Sequence, residues 1–363
     1  MERLKSILIC PACGCEKLHF DFFNPNGEGM ISCPACRTVY PVIRGIPRML
    51  TGKLREELFK NDPDFFNKYA EVFPAGSFSA REEKLYLRRK TMENFGRQWL
   101  FFPEFFAEFS RHFLSFINPP VEPGYFRGKL GLDSGCGFGR HLFYAGLWGS
   151  EMVGMDISFA IDAAGANLKK YPSIHLVQAD IHRPPFKKGT FDFVYSLGVL
   201  HHLPDPVRGI DALLPLVRSN GDFFIWVYSK KEPLVNFLVE LSRKAIKPLS
   251  LNALYGLCYL AALAEWHLIL RPLKYFKKNR FLSVLTRWVP NHFHLYTQYP
   301  FRVSYADWVD RLSAPIRHYF SGEELKTIYM ERGLQNIIVT PTQGYGWRAF
   351  GTVVKRETLN VNR

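Results

Sequence analysis

The middle of the chain alternates short apolar runs with stretches whose apolar positions follow helical spacing. Each apolar run ends at a glycine or an acid, which is typical of strands buried on both faces of a parallel sheet. Strands that alternate with helices predict an α/β fold with a doubly wound, Rossmann-like sheet. The predicted parallel strands cover residues 130–133, 151–155, 174–178, 191–196 and 221–228, the last after a turn at 219–221.

The end of the chain adds a helix and two strands to this sheet. Ser321 followed by Glu324 forms a capping-box pattern, and Gly333 is suited to end the helix that it starts. Residues 334–340 and 348–355 then alternate as two antiparallel strands, which brings the predicted sheet to seven strands. Residues 357–363 form a polar tail.

Four cysteines near the N-terminus stand in two Cys-x-x-Cys pairs. Cys10 and Cys13 are separated from Cys33 and Cys36 by 19 residues, and short strands are predicted at 18–22 and 30–32. This spacing predicts a tetrahedral Zn²⁺ site with all four positions filled by protein, and therefore a structural role. Disulfides or free thiols are the alternative, and Cys15 is a spare thiol unless it replaces Cys13 in the site.

Residues 38–50 extend this pattern. Together with the cysteine pairs they resemble the small zinc-ribbon proteins that accompany and activate RNA and protein methyltransferases. The resemblance implies a ribbon, residues 1–50, that contributes docking or stability rather than chemistry. Residues 51–125 follow as a helical connector or cap rich in aromatic residues, with helices predicted at 53–60 and 80–94.

The first strand of the sheet runs into the turn Asp133-x-Gly135-Cys136-Gly137-x-Gly139. A strand, a glycine turn and a helix form the nucleotide-binding corner of a doubly wound sheet. A dinucleotide fingerprint needs a small residue at position 140 for close helix–strand packing. Arg140 is too large, which disfavours a nicotinamide dinucleotide.

The same turn resembles the first motif of class I S-adenosylmethionine-dependent methyltransferases. An acid about 20 residues past the glycines, Asp156, is placed for ribose hydroxyls. The resemblance implies that Asp180 and the Ile181 amide hold the adenine, and residues 197–206 resemble the motif of the ubiquinone- and menaquinone-biosynthesis type. The predicted cofactor-binding residues are Asp133, Gly135, Cys136, Gly137, Gly139, Asp156, Ile157, Asp180, Ile181 and Leu197.

His201 is the candidate general base for a phenol or amine acceptor, because histidine titrates near physiological pH. The alternative is that His201 only shapes the pocket, and His202 is expected to face elsewhere. Tyr305, Arg317 and His318 are the candidate acceptor contacts, from a segment that resembles part of uncharacterised methyltransferases of this architecture.

The chain has 363 residues and a net charge of +14, which favours acidic partners. Residues 231–320 contribute 13 basic and 5 acidic residues and interrupt the methyltransferase core, 126–230 and 321–356. This insertion fits a helical lid, an interfacial helix on anionic lipid, or a transmembrane helix opposed by Glu265. The short apolar run at the N-terminus does not fit a signal peptide, so a cytoplasmic location is predicted. Membrane association through residues 231–320 is the alternative that the insertion leaves open.

These observations favour methylation of a hydrophobic small-molecule acceptor. RNA methylation is the main alternative, because a zinc ribbon before a methyltransferase core also resembles ribosomal RNA guanine methyltransferases and the basic charge suits phosphate. No Asn-Pro-Pro-Tyr-like tetrad follows the fourth strand, which opposes it. A non-catalytic, cofactor-bound scaffold is the third reading. Neither the acceptor atom nor the oligomeric state is specified by the sequence.

Overall fold

A computed structural model describes residues 1–73, 85–231, 233–246, 248–279, 282–342 and 345–354. The N-terminal part forms a four-stranded antiparallel sheet in the order β1-β2-β3-β4. Its elements are α1 (Glu2–Ile7), β1 (His19–Phe22), β2 (Gly29–Ser32), β3 (Val39–Ile43) and β4 (Ile46–Pro47). The two Cys-x-x-Cys pairs stand in the turns that precede β1 and β3, as the spacing predicts.

The larger sheet has seven strands in the order β10-β11-β9-β8-β5-β6-β7. Its strands are β5 (Leu130–Ser134), β6 (Glu151–Asp156), β7 (Ile174–Gln178), β8 (Phe191–Leu197), β9 (Val217–Tyr228), β10 (Leu334–Thr342) and β11 (Gly346–Val353). Strands β5 to β9 pair in parallel, whereas β11 pairs antiparallel with both β9 and β10. The predicted seven-stranded, Rossmann-like α/β sheet is confirmed.

Helices connect these strands and pack two apolar cores against the sheet. They are α2 (Glu56–Asn61), α3 (Pro63–Lys68), α4 (Leu85–Phe101), α5 (Phe109–Ile117), α6 (Arg140–Leu147), α7 (Ala160–Leu168), α8 (Pro206–Leu213), α9 (Pro233–Ile246), α10 (Leu251–Glu265), α11 (Arg271–Lys278), α12 (Asn291–Tyr296), α13 (Phe301–Ser313) and α14 (Gly322–Glu331). The capping box at Ser321 is present at the start of α14.

Two local predictions differ from the structure. β9 runs through the turn predicted at 219–221, because residues between Val217 and Asp222 bulge out of the pairing with β8. The helix predicted at 80–94 begins at Leu85 within the described residues and continues through the aromatic cluster to Phe101, while residues 80–84 lie outside them. α4 therefore carries its aromatic side chains to the sheet as one helix.

Helices α9 to α13 form the insertion between β9 and α14. α10 continues through a π-helical turn, Trp266–Leu270, into α11, so that one helix runs from Leu251 to Lys278. This helix is long and apolar enough to cross a membrane, although a third of its most apolar window is buried in the fold. One side of α10 packs on α13, where the Tyr305 hydroxyl donates to the Tyr255 carbonyl at 3.1 Å.

The N-terminal sheet docks on the outer edge of the large sheet. Arg48 forms a parallel bridge with Gln178 of β7, and the Met49 amide donates to the Gln178 carbonyl at 2.7 Å. The buried Arg48 guanidinium contacts Asp162 at 2.5 Å and the Gln178 side chain at 3.2 Å. An edge strand offers unpaired backbone groups, and the segment after β4 satisfies some of those of β7.

Candidate active site

The glycine turn joins β5 to α6 at the carboxyl edge of the sheet. Gly135 and Gly139 have φ values of +88° and +90°, which side chains with a Cβ rarely adopt. An added Cβ would lie 2.4 Å from a methyl of Val199 at Gly135 and 2.5 Å from a methyl of Leu168 at Gly139. These two glycines are therefore required by the packing of the protein on itself.

Asp156 holds the turn against the end of β6. One carboxylate oxygen accepts from the Gly137 amide at 2.8 Å, and the other accepts from the Ser158 amide and hydroxyl at 2.8 and 2.6 Å. Burial raises the pKa of Asp156, and the three hydrogen bonds oppose that rise. The carboxylate thus fixes the loop while it lines the cavity described below.

Asp180, at the end of β7, is held by two neighbours. Its carboxylate accepts from the His182 amide at 2.9 Å, lies 3.0 Å from the His182 ring and is 3.2 Å from the Arg88 guanidinium. Burial would raise the pKa of Asp180, but the His182 hydrogen bond and the Arg88 charge lower it below its usual value. Asp180 therefore stays ionised at the cavity wall.

One cavity extends from the glycine turn to the helices of the insertion. Eight of the ten predicted cofactor residues line it: Gly135, Cys136, Gly137, Asp156, Ile157, Asp180, Ile181 and Leu197. Asp133 and Gly139 do not line it. Asp133 is buried inside β5, where burial raises its pKa to about 8, and Gly139 faces α7.

His201, the candidate general base, does not line the cavity. Its side chain is fully buried and absent from the cavity wall, with its ring 3.9 Å from that of Tyr228. Burial, with the nearby charges of His202 and Arg317, lowers its pKa well below the usual value, so the ring is neutral. His202, expected to face elsewhere, lines the cavity instead, and its ring lies 2.7 Å from the Ile316 carbonyl.

Of the three candidate acceptor contacts, only one lines the cavity. Arg317 lines the cavity with its guanidinium 4.2 Å from the centre of the Tyr228 ring. Tyr305 and His318 do not line it. Tyr305 points from α13 towards α10, because it lies on the opposite side of the helix from the cavity.

The cavity face of α13 carries a group of charged residues that the sequence interpretation missed. Asp307, Asp310 and Arg311 stand at helical spacing and line the cavity together. Arg311 pairs with Asp307 at 2.6 Å, and the Tyr228 hydroxyl donates to Asp310 at 2.9 Å. Their i, i+3, i+4 spacing in the sequence was the signal that could have identified them as one face of a helix.

Arg140, whose size disfavours a dinucleotide at the glycine turn, also lines the cavity. Its guanidinium lies 5.3 to 5.9 Å from the ring centres of Phe109, Trp99 and Phe138, at cation–π range. Among the ion pairs of the described residues, none involves Arg140 or Arg317. The end of the cavity that α13 lines therefore combines aromatic walls with two arginines and the Asp310 carboxylate.

The four paired cysteines converge in the N-terminal sheet. The Cys10 and Cys36 sulfurs are 3.5 Å apart, those of Cys13 and Cys33 are 3.6 Å apart, and all four lie within 4.8 Å of one another. A tetrahedron with metal–sulfur bonds of about 2.3 Å has sulfurs about 3.8 Å apart, so the set can hold a metal ion. Cys15 is outside it and contacts the Lys17 carbonyl.

Residues 132–225 match the family model described as a methyltransferase domain. A tRNA U34 carboxymethyltransferase of Tolumonas auensis is 29% identical over 30% of this chain and 34% of its own length. The chloroplastic tocopherol O-methyltransferase of Arabidopsis thaliana is 27% identical over 38% of this chain and 39% of its own. The chain thus spans little more than a third of these relatives.

Solved structures to which the chain is similar include a SAM-dependent methyltransferase from Aquifex aeolicus. It is 13% identical over 69% of this chain and all of its own, with a TM-score of 0.38. The complex between the Haloferax volcanii Trm112 methyltransferase activator and a putative methyltransferase is 14% identical over 76% of this chain, also with a TM-score of 0.38. The family match covers the part of the chain that contains β6 to β8 and most of β5 and β9.

Proposed function

We propose that this chain is an S-adenosylmethionine-dependent methyltransferase that acts on a small acceptor with an apolar body. The observation that carries the proposal is the single cavity that joins the glycine turn, Asp156 and Asp180 to α13. The turn backbone at Gly135 and Gly137 would hold the methionine part, Asp156 the ribose, and Asp180 with the Ile181 amide the adenine. The cofactor would supply an activated methyl group.

The end of the cavity that α13 lines, which we call the acceptor end, is evidence for an acceptor with an apolar body. Aromatic side chains from α5 and the sheet, among them Phe109, Phe116 and Trp226, line it. Transfer of an activated methyl needs mainly alignment and a desolvated nucleophile, which such walls favour. The predicted hydrophobic acceptor therefore remains the proposal, with a polar end added to it.

Asp310 replaces His201 as the proposed proton acceptor. The Tyr228 hydroxyl fixes one of its oxygens at 2.9 Å, and the residue faces the cavity. A carboxylate oriented in this way would receive the proton of a hydroxyl or amine acceptor. Arg140 and Arg317 would meet an anionic group on the same molecule, since a guanidinium binds carboxylate and phosphate.

We propose a structural zinc ion for the four-cysteine set. Zn²⁺ favours a tetrahedron of thiolates, and the set leaves no position open to substrate. The ion would lock the turns before β1 and β3, and through them the ribbon that docks on β7. It would take no part in methyl transfer.

RNA methylation is the second candidate, and the names of the tRNA U34 carboxymethyltransferase relatives together with the basic charge favour it. The test uses cofactor with a tritiated methyl group and fractionated cell extract. Label in the small-molecule fraction supports the proposal, whereas label in RNA that falls steeply with added salt supports the alternative. Absence of label from every fraction would contradict both.

A matched pair of variants tests the site. Asp310→Asn should lower transfer at least about tenfold, consistent with loss of a general base, while cofactor binding measured by calorimetry persists. Asp211→Asn is the control, because Asp211 is half-exposed, pairs with Arg332 and does not line the cavity. Equal transfer by the two variants would remove Asp310 from the proton path.

A further inference from the structure

The insertion carries a large share of the exposed apolar side chains. Ten of the eighteen large apolar side chains that are exposed in the described part of the chain lie between residues 237 and 288. Trp288 is 90% exposed, Leu268 76% and Leu260 63%. Single exposed apolar residues are ordinary, but such a concentration on one segment marks an interaction surface.

The exposed side of the 251–278 helix shows how this surface is arranged. Leu257, Leu260, Ala264 and Leu268 follow one another at spacings of three or four residues and are all exposed, so they share one face. The same face continues into the basic residues Arg271, Lys274 and Lys278, with the exposed Tyr275 beside them. We call this apolar row and its basic end the insertion face.

The other side of the helix is held by the protein. Cys258 is fully buried and contacts the Trp308 carbonyl at 3.6 Å, while the Trp308 indole donates to Glu265 at 3.0 Å. Glu265 is buried against the protein interior, and this burial raises its pKa. A helix anchored along one side can lie on a membrane surface but is not free to cross it.

The four acidic residues of the insertion that the structure describes, Glu240, Glu265, Asp307 and Asp310, all have partners within the protein. Glu265 bonds to Trp308, Asp307 pairs with Arg311 and Asp310 accepts from Tyr228, all on the inner side. Glu240 contacts Arg243 and Tyr319. Within the described residues, a second copy of this face would therefore offer no free carboxylate to the basic end, whereas anionic lipid head groups would.

We infer that the insertion face docks the protein on the surface of an anionic lipid bilayer. The row from Leu257 to Leu268 would enter the boundary between head groups and acyl chains. Arg271, Lys274 and Lys278 would meet the anionic head groups, each contributing through surface charge. The helix would lie in the plane of the membrane, with α13 and its cavity residues on the protein side.

The test is co-sedimentation of the full chain with phosphatidylcholine vesicles, with and without about a quarter phosphatidylglycerol. The double variant Leu260→Glu/Leu268→Glu should reduce the bound fraction at least about tenfold, because each leucine loses its burial in lipid. Leu147→Glu is the control, since Leu147 is 62% exposed but lies on α6. The replaced side chains are all exposed, and thermal unfolding verifies that each variant is folded.

The triple variant Arg271→Gln/Lys274→Gln/Lys278→Gln separates charge from apolar contact. It should bind phosphatidylglycerol vesicles no better than phosphatidylcholine vesicles. The inference is overturned if the wild-type chain stays in the supernatant with both vesicles, or if the double variant sediments like Leu147→Glu. It is also overturned if light scattering shows a wild-type dimer that the double variant abolishes while vesicle binding is unchanged.

Discussion

Replacement of Arg48 should weaken the joint between the ribbon and the large sheet more than replacement of any exposed contact there. Arg48 is fully buried, and its guanidinium joins Asp162 and Gln178 from the far side of the interface. Arg48→Met fills a similar volume but leaves Asp162 with only the partly exposed Arg44. The change therefore removes one partner of a buried pair and keeps the other.

Breaking a buried ion pair from one side costs about 3–5 kcal/mol, because the remaining charge is poorly compensated. The lower end applies, since Asp162 is 18% exposed and retains Arg44 at 3.0 Å. With an unfolding entropy of about 2.1 cal/mol/K per residue over 363 residues, a loss of about 3 kcal/mol lowers Tm by about 4 °C.

Arg3→Met is the control variant. Arg3 also links the N-terminal segment to the core, through Glu151, but both side chains are about a third exposed or more. An exposed pair contributes about 0–1 kcal/mol, which corresponds to a Tm shift of about 1 °C or less. Thermal unfolding followed by circular dichroism measures both. Equal shifts for the two variants would refute the assignment of stability to the buried arginine.

Three further predictions concern the histidines, the thiols and the cofactor. The lowered pKa of His201 keeps it neutral in the folded state, so the unfolded state alone gains a proton below pH 6.5 and stability falls as pH decreases. Between pH 7.5 and pH 5.5, the free energy of unfolding measured in urea should fall by about 1.4 kcal/mol less for His201→Gln than for the wild type. Parallel pH profiles of the two proteins would contradict this. If the four cysteines hold zinc as proposed, atomic absorption should find one zinc ion per chain in Cys15→Ser and none in Cys13→Ser, whose Tm should also fall. Equal zinc content in the two variants would exclude the four-cysteine site. Asp180→Asn should weaken S-adenosylmethionine binding about tenfold or more in calorimetry, because a charged hydrogen-bond acceptor is lost, and an unchanged Kd would remove Asp180 from the adenine site.

The glycine corner could be predicted because its side chains are fixed by strand ends. Asp156 is the last residue of β6 and Asp180 lies two residues past the end of β7, and the carboxyl ends of parallel strands meet at one edge whatever the loops do. The number of strands in the sheet follows from the same regular alternation. These features depend on local spacing, which is printed in the sequence.

The acceptor end was harder to predict because it depends on the orientation of short elements. His201 and His202 share one 3-10 turn, Leu200–His202, and only its packing decides which ring faces the cavity. Tyr305 and Asp307 are two residues apart on α13 and face different partners. The docking of α10 sets that rotation, and the sequence gives no measure of it before the fold is known.

The bridge from Arg48 to β7 makes ribbon docking an intramolecular event. A separate ribbon would have to bind at its own cellular concentration, whereas a tethered one acts at an effective concentration of about millimolar. Dilution therefore cannot strip the ribbon from the sheet, and a free ribbon protein of similar shape would find this edge strand already occupied. The pairing leaves little room for a second protein to associate reversibly with that edge.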